Sequence, residues 1–204
     1  NPVHWYLLGL GLEGMENPEL IGKAYSRSID ANPQYVPAYH ALYDYYLESA
    51  GRDSANLIYE KLVEVFPDSV QFALNLANSY YSSQDYEKAT IYYQKVLDVA
   101  PADSTALFFL GSSFFQLNNF RSAIEQFTEL LSYYPRHARA CNMAGMSYLT
   151  LMNPTEAKNY FKQATLIDPK FGQAFYNLGR VERLLDNYQL GADAFRQALQ
   201  VELE

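Results

Sequence analysis

The chain has 204 residues, a formal charge of −8, and 49% hydrophobic against 19% charged residues. Those proportions exclude an intrinsically disordered chain, and the acidic balance argues against a nucleic-acid backbone or an anionic membrane surface as partner, both of which need clustered Lys and Arg. The single cysteine, Cys141, excludes an internal disulfide and a CxxC metal site, so redox compartment and localisation stay open.

Prolines at 33, 67, 101, 135 and 169 recur every 34 residues. They divide the chain into six segments, 2–35, 36–69, 70–103, 104–137, 138–171 and 172–204, read as a single array over 1–204. With this proline as position 32, the other positions fall into register. Positions 4, 7, 8 and 11 are spaced 3, 1 and 3, one face of a helix; positions 20, 24, 27 and 28 repeat that spacing in a second helix. Each segment is therefore a helical hairpin that cannot bury its apolar face alone.

In chain order, segment 2–35 carries Trp5, Leu8, Gly9 and Leu12 on its first helix and Ile21 and Tyr25 on its second, with a turn at Asn17-Pro18. It starts at Asn1-Pro2 inside a helical pattern, and the chain ends in Leu203-Glu204, so the sequence reads as an excised fragment. Segment 36–69 has Tyr43 at position 8, where four of the other five segments have Gly and one has Ala; its hairpin is expected to open slightly. Segment 70–103 has Ala77, Tyr80, a cap at Asp85, Ala89 and Tyr93. Segment 104–137 includes ALFFLGSSFFQLNNF at 106–120, five phenylalanines without a charge. It is too short for a membrane span, which needs about 20 apolar residues, and Ser112, Ser113, Gln116 and Asn118 interrupt it. Its cap is Asn119 and its second-helix ring is Phe127. Segment 138–171 has Cys141 at core position 4, Gly145, a turn at Asn153-Pro154, Ala157 and Phe161. Segment 172–204 has Phe175, Leu178, Gly179, Tyr188, Gly191, Phe195 and Ala198, with Glu182 at the apolar position 11 and Leu203 where the others have Pro. The Asn and Asp residues between helices suit exposed N–H groups, and Pro suits the first helical position or a helix stop.

The series Trp5, Leu8-Gly9, Tyr25, Pro33, answered by Phe175, Leu178-Gly179, Tyr188, Phe195, Ala198, resembles the tetratricopeptide repeat (TPR) family over essentially the whole chain. The resemblance implies an all-α, right-handed superhelical solenoid of six 34-residue helix-turn-helix units. In that family the first helices line a concave groove with positions 2, 5, 9, 12 and 13, and position 6 at the edge. Carried onto this sequence, the groove would show Tyr6, Leu10 and Glu13; His40, Asp44 and Glu48; Gln71, Asn75, Asn78 and Tyr81; Phe108, Ser112 and Phe115; Arg139, Asn142, Met146 and Leu149; then Gln173, Tyr176, Asn177, Arg180 and Arg183. Phe114 and Phe120 fall on structural positions, Phe108 and Phe115 on groove positions, and Phe109 is open between the groove edge and packing on a neighbouring first helix. The groove reads acidic at its N-terminal end, aromatic and amide-rich in the middle, and basic at its C-terminal end.

The function implied is an interaction scaffold holding a partner peptide or helix, with acidic groups of that partner toward Arg180 and Arg183. Two other readings stand beside it: a non-catalytic regulatory or substrate-presenting array of a larger enzyme, and a structural module that self-associates through uncapped ends. The carboxylate clamp of one TPR subset needs Lys at position 5; here that position is Tyr6, His40, Leu74, Phe108, Asn142 and Tyr176, so a chaperone-tail adaptor is not expected. The asparagine ladder of some glycosyltransferase arrays is broken at Leu7, Ala41, Phe109 and Met143, leaving Asn75 and Asn177. GLGLEG at 9–14 matches a dinucleotide fingerprint but lacks the strand that gives it meaning. His40 and Asp44 alone offer too few ligands for a metal. No cofactor and no catalytic residue are expected.

Overall fold

The computed structural model describes residues 1–13 and 18–203, and among these every regular element is a helix. Asn17 of the expected first turn lies outside the described residues. The chain divides into two compact halves, Asn1–Val99 and Ala100–Glu204. The N-terminal half holds three hairpins: α1 (Pro2–Leu12) with α2 (Pro18–Ala31), α3 (Val36–Ser49) with α4 (Arg52–Val65), and α5 (Val70–Ser82) with α6 (Tyr86–Val99). The C-terminal half holds three more: α7 (Ser104–Gln116) with α8 (Phe120–Tyr133), α9 (Ala138–Thr150) with α10 (Pro154–Ile167), and α11 (Gly172–Leu184) with α12 (Tyr188–Leu203). Within each half, every second helix also packs on the first helix of the next hairpin. The expected all-α solenoid of stacked hairpins is what forms.

In the repeats with glycine at position 8, the glycine and the ring are one device. The position-24 rings Tyr25, Tyr93, Phe127 and Phe161 are fully buried. Each of three later rings lies against the glycine of its own hairpin. A methyl group added at Gly111, Gly145 or Gly179 would sit 2.7–2.8 Å from Phe127, Phe161 or Phe195. Such contacts are well inside van der Waals distance, so only glycine lets the ring lie flat on the first helix. The second repeat breaks the rule with Tyr43, whose ring meets Tyr59 edge-on at 4.4 Å. The α3/α4 hairpin accordingly packs more loosely than the other five, as its sequence led one to expect.

The turns inside the hairpins are equally periodic. Gln84, Asn118, Met152 and Asp186, 34 residues apart, all have left-handed φ between 58° and 65°. In each case the next residue's amide bonds back to the carbonyl five residues earlier: Asp85 to Tyr80, Asn119 to Phe114, Asn153 to Tyr148, Asn187 to Glu182, at 2.8–3.0 Å. This six-residue C-terminal cap satisfies carbonyls that the end of a helix leaves open. Asp85 and Asn119 then turn their side chains forward, accepting from Lys88 N and Ser122 N to start the second helix. The second repeat differs again: α3 runs one residue longer than α5, α7, α9 and α11, and the turn is made by Gly51 at φ 84°. The periodic prolines stand two residues beyond α2, α4, α6, α8 and α10, and so act as stops.

Three first helices are capped from position 34. Ser69, Asp103 and His137 accept from Phe72 N, Ala106 N and Ala140 N respectively. Glu182, the charge at an apolar position, is buried at 5% exposure, and its carboxylate takes Asn187 Nδ2 at 2.7 Å and Lys158 Nζ at 3.3 Å. A buried carboxylate so paired avoids the desolvation cost of an isolated one. Leu8 departs from its expected core place. It is 47% exposed, beside Leu7 at 55%, because position 7 packs on the second helix of a preceding hairpin and none of the described residues supplies one.

Candidate functional site

In the N-terminal half, the first helices bring the expected groove residues into two pockets. The larger, about 640 Å³, lies between α1 and α3 and is lined by Tyr6, Leu10, Glu13, Ile21, His40, Ala41, Asp44, Tyr45, Glu48 and Ser49. Tyr6 is half-buried, its ring 6.0 Å from Tyr25 and 5.7 Å from Tyr35. His40 Nδ1 is 2.8 Å from the hydroxyl of Tyr59. Burial, then the neighbouring Tyr43 and Asp44, raise the Tyr59 pKa above its ordinary value, so the phenol keeps its proton. The smaller pocket, about 230 Å³, is lined by Tyr43, Tyr59, Asn75, Asn78 and Ser79, all uncharged. Gln71 Nε2 donates to Asn75 Oδ1, and the Tyr93 hydroxyl donates to Asn78 Oδ1. Tyr81 is half-buried against Tyr86 at 5.4 Å. Phenols and amides of this kind can donate to or accept from a peptide backbone.

In the C-terminal half, α9 touches both α7 and α11, so the three first helices form one face. Phe108 and Phe115 are each half-buried. Phe108 lies among Phe109, Phe127 and His137 at centroid distances of 5.4–5.9 Å, with the Arg139 guanidinium 5.9 Å from its ring. Phe115 packs edge-on against Phe120 at 5.2 Å. Phe109 is half-buried too, packed edge-on against Phe108. Ser112, Asn142 and Asn177, expected on the open face, are buried at 4%, 4% and 1% exposure. Each has a hydrogen-bond partner, Ser112 within its own helix and the two asparagines with each other. Ser112 Oγ bonds the carbonyl of Phe108, and Asn177 Nδ2 donates to Asn142 Oδ1 at 2.9 Å across from α11 to α9. Gln173 Nε2 and Arg180 also point to Asn177 Oδ1, while Asn142 Nδ2 lies 3.8 Å from Met146 Sδ. These amides form the wall of the face and hold its helices in register.

At the far end of this face a pocket of about 570 Å³ is lined by Tyr176, Arg180, Arg183, Leu184, Tyr188 and Phe195. Tyr176, 48% exposed, meets Phe195 at 5.7 Å and has the Arg180 guanidinium 5.9 Å from its ring. Neither arginine is among the ion pairs of the described residues. Sequence reasoning put Phe195 only in the core and gave Tyr188 no contact role. Both reach this pocket because Tyr188 is exposed and Phe195 only half-buried. Among nucleophiles, the buried Cys141 thiol is pushed up to about 11 by burial, which keeps it protonated and unreactive. No helix among the described residues is long and apolar enough to cross a membrane.

Comparison with known proteins agrees with this architecture. Two tetratricopeptide repeat models match, over residues 69–136 and 138–171, together half of the chain. No curated protein matches it. Among solved structures, a crystal structure of MamA aligns at TM-score 0.73 and 20% identity, over 79% of this chain and 94% of its own. MamA 41-end from Desulfovibrio magneticus RS-1 aligns at 0.71 and 17%, over 80% and 93%. At such identities the likeness is one of fold. With its 34-residue period, its glycine-seated rings and these matches, the chain belongs to the tetratricopeptide repeat family, whose fold serves as a protein-interaction scaffold.

Proposed function

We propose that the chain binds a segment of a partner protein along the faces built by its first helices, and that acidic groups of the partner dock at Arg180 and Arg183. One observation carries this reading: two exposed guanidinium groups, one helical turn apart and outside the ion pairs, share a pocket with three aromatic rings. Arginine can hold a carboxylate through two parallel hydrogen bonds, and the rings supply apolar area for the neighbouring side chain. Phe108, Phe115, Arg139 and Met146 continue the same face toward α7 and α9, above the Asn142–Asn177 wall. In the other half, Tyr6, His40, Asp44, Asn75, Asn78 and Tyr81 form the corresponding surface. Its excess of negative charge favours protein over nucleic acid. In this role the chain performs no chemistry of its own.

The test is an array of acidic, aromatic-containing peptides beside the same peptides with Asn and Gln for Asp and Glu. Acid-dependent retention by the wild type, lost in Arg180→Glu/Arg183→Glu, is the expected result. Retention indifferent to the peptide's charge, or to that double substitution, contradicts the proposal.

A further inference from the structure

The α1/α3 pocket has a chemistry of its own. Asp44 and Glu48 stand one turn apart on α3, Glu13 faces them from the end of α1, and Tyr6, Tyr45 and Leu10 form the walls. None of the three carboxylates is in an ion pair; the ion pairs among the described residues involve Glu19, Glu60, Glu182 and Asp193. Glu13 instead accepts from the hydroxyl of Tyr25. The imbalance is local: residues 1–99 carry 13 carboxylates against 6 Lys and Arg, whereas residues 100–204 carry 10 against 9. The pocket is thus negative, half aromatic or apolar, and without a cation.

We propose that this pocket receives an arginine side chain of the partner protein. The inference rests on the scaffold reading and names the chemistry of its N-terminal site. A planar guanidinium can bond two carboxylates at once and stack on a tyrosine ring, and it gives up its water more readily than an ammonium group. A lysine would use the charge but lacks the planar fork that bonds two carboxylates while stacking on a ring. A metal ion would leave most of a pocket of about 640 Å³ unused, and the described residues hold no converging set of three ligands. His40, also in the lining, has its Nδ1 within 2.8 Å of the Tyr59 hydroxyl.

The experiment is an NMR titration of the whole chain with N-acetyl-arginine N-methylamide and, separately, with the isosteric neutral citrulline compound. The arginine compound is expected to give saturable shifts at Ala41, Asp44, Tyr45 and Glu48, with affinity at least about tenfold above that of citrulline. Asp44→Asn/Glu48→Gln should abolish the response, and both residues are exposed, so the rest of the spectrum should stay unchanged. Added salt should weaken the wild-type response, a readout that needs no variant. Equal shifts with citrulline, shifts elsewhere, or a response that survives the double substitution would overturn the proposal. Failure of the acidic-peptide experiment at Arg180 and Arg183 would not produce any of these results, so the two readings fall separately.

Discussion

Gly145 and Gly11 show how one residue type answers to two different forces. Alanine is the better helix former by about 1 kcal/mol. At Gly145 the added methyl would lie 2.7 Å from the buried Phe161 ring, a clash of the kind that costs about 1–3 kcal/mol. At Gly11 nothing lies within 4 Å. Gly145→Ala should therefore lower the urea midpoint while Gly11→Ala raises it, and denaturation of the two variants side by side checks the sign. His137 gives a pH prediction. Burial, and to a smaller degree Arg139, hold its pKa below the ordinary 6.5, so the fold prefers the neutral ring. That ring's Nδ1 must be unprotonated to cap Ala140 N. The unfolded chain takes up the proton first, so the contribution is complete above about pH 6.5 and is lost as pH falls below it. His137→Asn keeps a neutral cap, and its stability relative to wild type should rise below that pH; a parallel pair of stability curves would refute the assignment. The residue type alone does not announce this role, because capping depends on where the helix begins.

At the scale of the element, most of what forms was legible. The proline interval, the ring at position 24 and the Asn or Asp between helices each impose a local rule, and their recurrence along the chain makes the rule visible. The left-handed turn residues were not legible, since Gln84 and Met152 have no preference for that conformation; the cap around them forces it. Met152, 79% exposed at φ 58°, makes no buried contact that would be lost on substitution. Left-handed φ costs a non-glycine residue about 1–2 kcal/mol, partly offset by the greater freedom of unfolded glycine. Met152→Gly should thus stabilise the α9/α10 hairpin by roughly 1 kcal/mol, seen as slower amide exchange in those two helices. The groove positions were legible as register but not as exposure. Ser112, Asn142 and Asn177 sit where the family's offsets place them, yet all three are buried; Asn142 and Asn177 are tied by a bond between neighbouring helices, and such pairing is invisible within a single repeat.

At the scale of the molecule, the division of charge is the feature that bears most on function. The N-terminal half holds an acidic aromatic pocket and the C-terminal half a basic aromatic one, while the rest of the first-helix surface is largely uncharged. Binding at either end should weaken with salt, since exposed charges are screened beyond about 8 Å at physiological ionic strength. Binding at the uncharged residues of the first helices should not. The central claim is that partners are held by the first helices and not by the outer second helices. It is tested most directly by quantifying cross-linked partners captured by Tyr176→Ser/Arg180→Glu and by Tyr133→Ser/Leu166→Ser, the latter pair lying exposed on α8 and α10. Circular dichroism melts would establish that both variants are folded. Capture lost in the first variant and kept in the second is the predicted result; capture kept in the first and lost in the second would contradict the account.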